Sequence, residues 1–367
     1  MSCDIHHKGS PTSQVWVIAE QPFHQDKDKM FLFSGSYGYV FDKMMRDAGL
    51  SDYFVISRRP DLEDRNNFVV IESELNHYKP PIIIALEEAG KYLCDELHKQ
   101  HKQKGVVNEG DSDIEKYAGS LLQSPKISYP HYIIPSFAPD TICKDWALRD
   151  IVTSLDLGKA KSELDYYRKH GVLEPLPTRT LMYDIKDFEE LLSYLERFEK
   201  APILSNDIEN LYTSKKSAFY PHPGEIVTIG LADSPDFGIS FNLFRDNPKE
   251  TVELWRRLQR LFNKVPQLGQ NFFNHDLFRY EMYGFSIDST TISDTMIRQH
   301  VLWPELPKSL QFMARQYTRQ PYWKDEGHQW NMKDMRKLRR YNCLDVCCTL
   351  EIYLKQEEEF KERPYLR

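Results

Sequence analysis

The stretch LSNDIENLY, residues 204–212, starts as an apolar strand and delivers two acids, Asp207 and Glu209, at its end. In extended backbone alternate side chains face the same way, so this spacing puts both carboxylates on one face. Such a pair is costly unless a cation neutralises it or one member keeps its proton. Alone, an Asp-x-Glu reads as two solvated acids at a strand end. Its surroundings make it more. Thr180 to Tyr183 reads as a strand and Ile185 to Phe198 as an amphipathic helix. Ile203 to Ile208 reads as the strand carrying the first acid, with hairpin neighbours at Glu225 to Leu231 and Phe237 to Phe241. Helices are expected at Glu250 to Phe262, Asp276 to Tyr283, Ser309 to Gln316 and Met335 to Glu358. The C-terminal half is therefore an α/β domain.

Two further segments join the pair. In GQNFFNHDLF, residues 269–278, a glycine and an asparagine leave a strand and Asp276 then opens a helix, a position it could hold as a helix cap. In RRYNCLDVCCTLEIY, residues 339–353, Tyr341 and Asp345 lie four apart and so share one helical face. Each piece alone fits an ordinary strand end, cap or amphipathic helix. Together they bring four carboxylates and a phenol into one scheme. Four carboxylates holding two divalent cations can make a water nucleophilic and stabilise an anionic transition state, the two requirements of phosphodiester cleavage.

Upstream, Gln14 to Glu20, Phe54 to Ser57, Pro81 to Leu86 and Tyr132 to Ile134 read as strands. Ser36 to Ala48, Glu87 to His98 and Ala147 to Leu157 read as helices. Strands alternating with helices imply a mostly parallel sheet. Residues 1–14 read as a flexible tail, 15–158 as a first domain, 159–176 as a linker and 177–367 as a second domain. Residues 99–120, charged and rich in Gly and Asp, read as a loop or insertion. The 367 residues suffice for two domains, and 41% hydrophobic residues give each half material for a core.

No apolar run approaches a membrane span and no signal peptide opens the chain, so no membrane partner is expected. Six cysteines without CxxC spacing suggest neither a zinc site nor a disulfide framework, and point to a reduced, intracellular setting. The net charge of −7 argues against indiscriminate binding of duplex DNA through a basic surface. Short basic clusters, Lys215-Lys216 and Lys333 to Arg340, could meet phosphates but read equally as solvated faces.

From Pro177 to Arg367 the order and context of these motifs resemble the tyrosine-containing branch of the DEDD 3'→5' exonuclease superfamily, which has a ribonuclease H-like fold. They look most like the proofreading domain of bacteriophage family A DNA polymerases. The segment LPKSLQFMARQYTRQPYWKDEG, residues 306–327, resembles the stretch between the second and third motifs there. The resemblance implies a 3'→5' DNA exonuclease with two Mg²⁺ or Mn²⁺ ions. Asp207 would bridge both ions, Glu209 and Asp345 would hold the tighter one, and Asp276 would position the second. Tyr341 would orient the attacking water. Asn271 and Lys324 are candidate substrate contacts, and Tyr212, Phe272, Phe273, Tyr322 and Trp323 could stack on bases. It also implies single-stranded DNA 3' ends and a DNA polymerase domain or subunit as partners, in a host cytoplasm if the chain is viral.

Residues 15–158 resemble the uracil-DNA glycosylase superfamily in VWVIAEQPF (15–23), FSGSYGYVFDKMMRDAGL (33–50), KPPIIIALEEAGKYL (79–93) and YIIPSFAPDTI (132–142). This implies a parallel-sheet sandwich with Glu20, Gln21, Phe23 and His24 lining a vestigial base pocket. The family's His-Pro is Ala138-Pro139 here, and Ala19 replaces a glycine. A glycosylase needs a donor for the departing base, so an inactive domain is expected. Two alternatives stand beside the exonuclease: an active uracil glycosylase with an exonuclease-like appendage, and a non-catalytic DNA-binding or replisome-assembly module.

Overall fold

The structure, a computed structural model, describes residues 7–19, 32–57, 64–87, 89, 114–211, 225–328 and 335–366. The chain falls into two compact units, Met1–Leu176 with Arg319–Tyr322, and Pro177–Thr318 with Trp323–Arg367. Both are mixtures of helix and sheet, as the strand and helix patterns imply.

In the first unit the order is β1 (His7–Lys8), β2 (Val15–Ala19), α1 (Ser36–Asp47), β3 (Phe54–Ser57), α2 (Asp64–Tyr78) and β4 (Ile82–Leu86). Then come α3 (Ile114–Tyr117), β5 (Tyr132–Ser136), α4 (Pro139–Lys144), α5 (Trp146–Ile151), a π-helical turn (Val152–Leu157) and α6 (Gly158–His170). The strand order is β1-β3-β2-β4-β5, parallel except for β1. VWVIA and IIIAL are buried along their whole length because both faces are covered, the usual state of a parallel sheet. Val15, Val17, Ile82 and Ile84 share a core with Phe41 and Met44 of α1. Trp16, Ile18, Ile83 and Ala85 point the other way, into a core with Ile71 and Leu75 of α2.

Four expectations need correction here. Residues 7–14 are not a loose tail: β1 pairs with β3, and Ser13 donates to Asp52 at 2.8 Å. Residues 159–170 are not linker but α6, whose Ala160 and Leu164 enter the first core while most of its charges, the buried Glu163 excepted, face out. Helix α2 was not anticipated, since Val69 and Val70 are exposed and blur its apolar stripe. The expected helix at 87–98 lies almost wholly outside the described residues, as does 99–113. Residues 114–117, expected as loop, form α3.

In the second unit come β6 (Thr180–Met182), α7 (Phe188–Phe198), β7 (Leu204–Leu211), β8 (Glu225–Ser234), β9 (Phe237–Asn242) and α8 (Pro248–Lys264). There follow β10 (Gln267–Gly269), α9 (Asp276–Met282), β11 (Ser293–Asp294), α10 (Thr295–Leu302), α11 (Leu310–Tyr317) and α12 (Arg336–Glu362). The sheet order is β11-β10-β7-β8-β9-β6. Strands β7, β8 and β9 form an antiparallel meander, and β10 and β11 add in parallel on the free side of β7. Helix α7 starts at Asp187, which accepts from the Glu189 N–H at 3.2 Å. Helix α8 starts at Asn247, which accepts from Lys249 at 3.1 Å, with Pro248 as its first residue.

The two faces of this sheet differ in kind. Ile229, Leu231, Ile239 and Phe241 point into a core with Leu191 and Leu195 of α7 and Leu254, Leu258 and Leu261 of α8. The opposite face is built from small residues, Thr228, Gly230, Ala232, Gly238 and Ser240, and α12 lies across it. A Cβ at Gly238 would come within 2.7 Å of Cys347 Sγ, so the glycine permits the close approach of α12. The acids of β7 face this helix.

Candidate active site and metal centre

Asp207 lies opposite Gly230 in the β7–β8 register. Asn342 of α12 fills the space that a side chain at 230 would take, since a Cβ there would stand 2.5 Å from its Oδ1. Asn342 Nδ2 donates to Asp207 Oδ2 at 2.7 Å, and its Oδ1 accepts from Ser240 Oγ at 2.7 Å. One turn on from Tyr341, Asp345 reaches the same place. Among the described residues, carboxylate oxygens of Asp207, Glu209 and Asp345 all lie within 4.8 Å of one another. Both β7 acids are half-buried and Asp345 is buried.

Asp276 is fixed beside this nest by backbone. Strand β10 pairs with β7 only as far as Ser205, which leaves the Ile208 N–H to Asp276 Oδ1 at 3.0 Å. The turn that brings Asp276 there uses Asn271 in the left-handed region, φ 59°, a conformation asparagine tolerates better than most residues. Asp294 holds the turn, accepting from the N–H groups of Asn271 at 3.0 Å and Phe272 at 2.7 Å. The same carboxylate caps α10 through the Met296 N–H at 2.9 Å.

Burial first, and then the charges of Asp276, Glu209 and Asp345, hold the Asp207 carboxyl well above the usual range, with Lys324 opposing. Burial beside Asp345 pushes Glu209 up to about 8, again against Lys324. Asp276 is raised by burial, an effect that His275 and the Ile208 N–H reduce. The Tyr341 hydroxyl is driven far above the phenol range by burial and by Asp345, Glu209 and Asp207, so it keeps its proton. This is the signature of crowded carboxylates short of positive charge. Against four carboxylates stands Lys324, whose Nζ is 2.6 Å from Asp345 Oδ2 and 3.1 Å from the Tyr341 hydroxyl. The donor set is entirely oxygen, the kind that hard cations such as Mg²⁺ and Mn²⁺ prefer, and the residues fit such ions.

All five principal residues read from sequence, Asp207, Glu209, Asp276, Tyr341 and Asp345, thus meet at the β7–α12 junction, with Lys324 among them. Phe272 does not join them as a stacking platform. It is fully buried, packed into the α8 core against Tyr280 and over Gly269. Trp323 is also buried, and its indole N–H donates to Asp345 Oδ1 at 2.6 Å, so it serves the acid rather than a base. Asn271 contributes its backbone to the Asp294 clamp, and its Oδ1 accepts from Asn274 at 3.2 Å. Tyr212 lies outside the described residues, as do Glu20, Gln21, Phe23 and His24 of the expected base pocket. Asn342, Asp294 and Gly230 were missed by sequence reasoning. Only Asn342, beside Tyr341 in the third motif, offered a signal.

No protein-family model and no curated protein matches the chain. Among solved structures it is similar to the catalytic core of RRP6 from Trypanosoma brucei, 14% identical with a TM-score of 0.39, over 52% of this chain and 49% of that one. It is likewise similar to Escherichia coli RNase D, an exoribonuclease involved in structured RNA processing, at 16% and 0.40 over 52% and 47%. The POL domain of Pol1 from M. smegmatis, solved with DNA primer-template and dNTP, matches at 11% and 0.37 over 50% and 28%. The chain spans about half the length of the RRP6 core and of RNase D.

Proposed function

We propose that the chain is a metal-dependent 3'→5' exonuclease that trims DNA ends, of the proofreading type and belonging with a phage-like DNA polymerase. The observation that carries this is the convergence of Asp207, Glu209 and Asp345 within 4.8 Å, with Asp276 fixed alongside by the Ile208 N–H. The motif order resembling tyrosine-type proofreading domains supports DNA as substrate. Asp207, Glu209, Asp345 and Asp276 would hold two divalent cations. When bound, these supply positive charge to the phosphate oxygens and acidify a water.

The chain's own residues do the rest. The protonated Tyr341 hydroxyl would donate a hydrogen bond that orients the attacking water from the α12 side. Asn342 fixes the rotamer of Asp207 through its 2.7 Å bond, and Asp294 fixes the turn that aims Asp276. Lys324, beside Asp345 and Tyr341, would meet a phosphate oxygen of the substrate. In the first unit, Ala138 stands where a glycosylase would carry a histidine, and only its backbone N–H donates, to Glu87 at 3.2 Å. We read this unit as a glycosylase-like scaffold without base-removing activity.

The test uses 5'-labelled single strands of DNA and of RNA, with Mg²⁺ or with EDTA. Stepwise shortening of the DNA from its 3' end with Mg²⁺ is expected. Asp207→Ala combined with Glu209→Ala should lower the rate by at least about a thousandfold, in keeping with loss of the metal's contribution to the transition state. Undiminished activity in the double variant would end the assignment. Preferential shortening of RNA would overturn the DNA reading alone. Alkali-sensitive gaps in a uracil-containing strand would overturn the inactive-scaffold reading.

A further inference from the structure

We propose that Lys324 is a tethered counter-cation that a divalent metal must displace from Asp345, and that this displacement shifts the Trp323–His328 segment. The inference rests on the metal-centre reading above and adds to it a built-in competitor. Both oxygens of Asp345 are engaged: Oδ1 accepts from Trp323 Nε1 at 2.6 Å and Oδ2 from Lys324 Nζ at 2.6 Å. A magnesium ligand oxygen sits about 2.0–2.1 Å from its ion. An oxygen that holds an ammonium at hydrogen-bond distance cannot take a dication on the same side without placing two positive charges in near contact. The ammonium therefore leaves Oδ2 when the dication arrives.

The surroundings give it somewhere to go and something to move. Lys324 Nζ already touches the Tyr341 hydroxyl at 3.1 Å and lies 4.8 Å from the centre of that ring and 5.3 Å from that of Trp323. A short slide over the Tyr341 ring keeps the cation on an aromatic face. Residues Lys324–His328 form one turn of 3₁₀-helix. Its far end has its own anchors. Glu326 is paired with Arg340, and Gly327 lies on the Tyr341 ring, where a Cβ would come within 2.9 Å of Cζ. Loss of the Lys324 contact thus releases the near end of the turn beside Trp323, whose indole still donates to Asp345 Oδ1, while the far end stays attached to α12. Metal binding and the local packing of Trp323 become linked.

The linkage makes two measurements decisive. In calorimetric titration with Mn²⁺, Lys324→Met is expected to bind at least about tenfold more tightly than wild type, because a positive charge a few ångströms from the dication is gone. Lys324→Arg, which keeps the charge, should bind much as wild type does. In wild type, Mg²⁺ should change tryptophan emission along the binding curve, and Trp323→Phe should remove that change. Equal or weaker Mn²⁺ binding by Lys324→Met overturns the proposal, and so does wild-type emission indifferent to bound metal. The emission measurement stands even if Lys324→Met does not fold. Wild type that binds no Mn²⁺ at millimolar concentration would instead bring down the metal-centre reading, and this proposal with it.

Discussion

At the scale of single residues, Glu209 ties the chemistry of the site to the stability of the fold. Its folded carboxyl is pushed up to about 8, whereas an unstructured glutamate releases its proton near 4.5. Between those values the folded chain holds a proton that the unfolded chain has lost. Stability then falls as pH rises through this window. Asp207, raised in the same direction, adds to the slope. Melting temperatures recorded in EDTA should therefore decline from pH 5 to pH 8. Glu209→Gln, which cannot ionise, should flatten part of that decline. Saturating Mn²⁺ should reverse it, since cations favour the ionised acids. A wild-type slope unchanged in Glu209→Gln would show that the carboxyl is not held in its acid form.

At the scale of elements, the site depends on where strands stop. Because β10 ends at Gly269, the chain can turn at Asn271 and deliver Asp276 to the Ile208 N–H. Asp294 makes that turn rigid with two hydrogen bonds and caps α10 with a third. Asp294→Ala leaves three N–H groups without their acceptor, all of them on residues that are part-buried or buried. A loss of about 2 kcal/mol of stability follows from the usual cost of such groups and of a lost cap. Cleavage should slow as Asp276 loses its aim. Mn²⁺ affinity should stay within about threefold, because Asp207, Glu209 and Asp345 are held from β7 and α12 instead. A large fall in both affinity and rate would mean that Asp294 supports the whole nest rather than one arm of it.

The same element scale explains what could be read in advance. The acids were legible because strand and helix periodicities fix which side chains share a face, as with Asp207 and Glu209 or Tyr341 and Asp345. Asn342 and Gly230 were not, because their contact exists only through the pairing of Asp207 with Gly230 across β7 and β8. Register of that kind is a tertiary fact. Phe272 was misread because an aromatic beside a motif carries no sign of which way it points, and here it points into the core. Helix α6 was misread as linker because Ala160 and Leu164 are few among its charges.

At the scale of the whole molecule, each unit buries its own core, and the acid nest belongs to the second alone. A ligand that binds only the folded form stabilises it by RT ln(1 + [L]/Kd), about 2.7 kcal/mol at one hundred times Kd. Calorimetric unfolding is therefore expected to show two transitions, of which Mn²⁺ raises one. Core variants identify them: Ile84→Ala removes a fully buried side chain from the first unit and Leu258→Ala from the second, each at a cost of about 2–5 kcal/mol. The transition lowered by Leu258→Ala should be the one raised by Mn²⁺, and Asp345→Ala should abolish the rise. If Mn²⁺ moved the transition that Ile84→Ala lowers, the ion would be binding the first unit, and the β7–α12 acids would lose their claim to it.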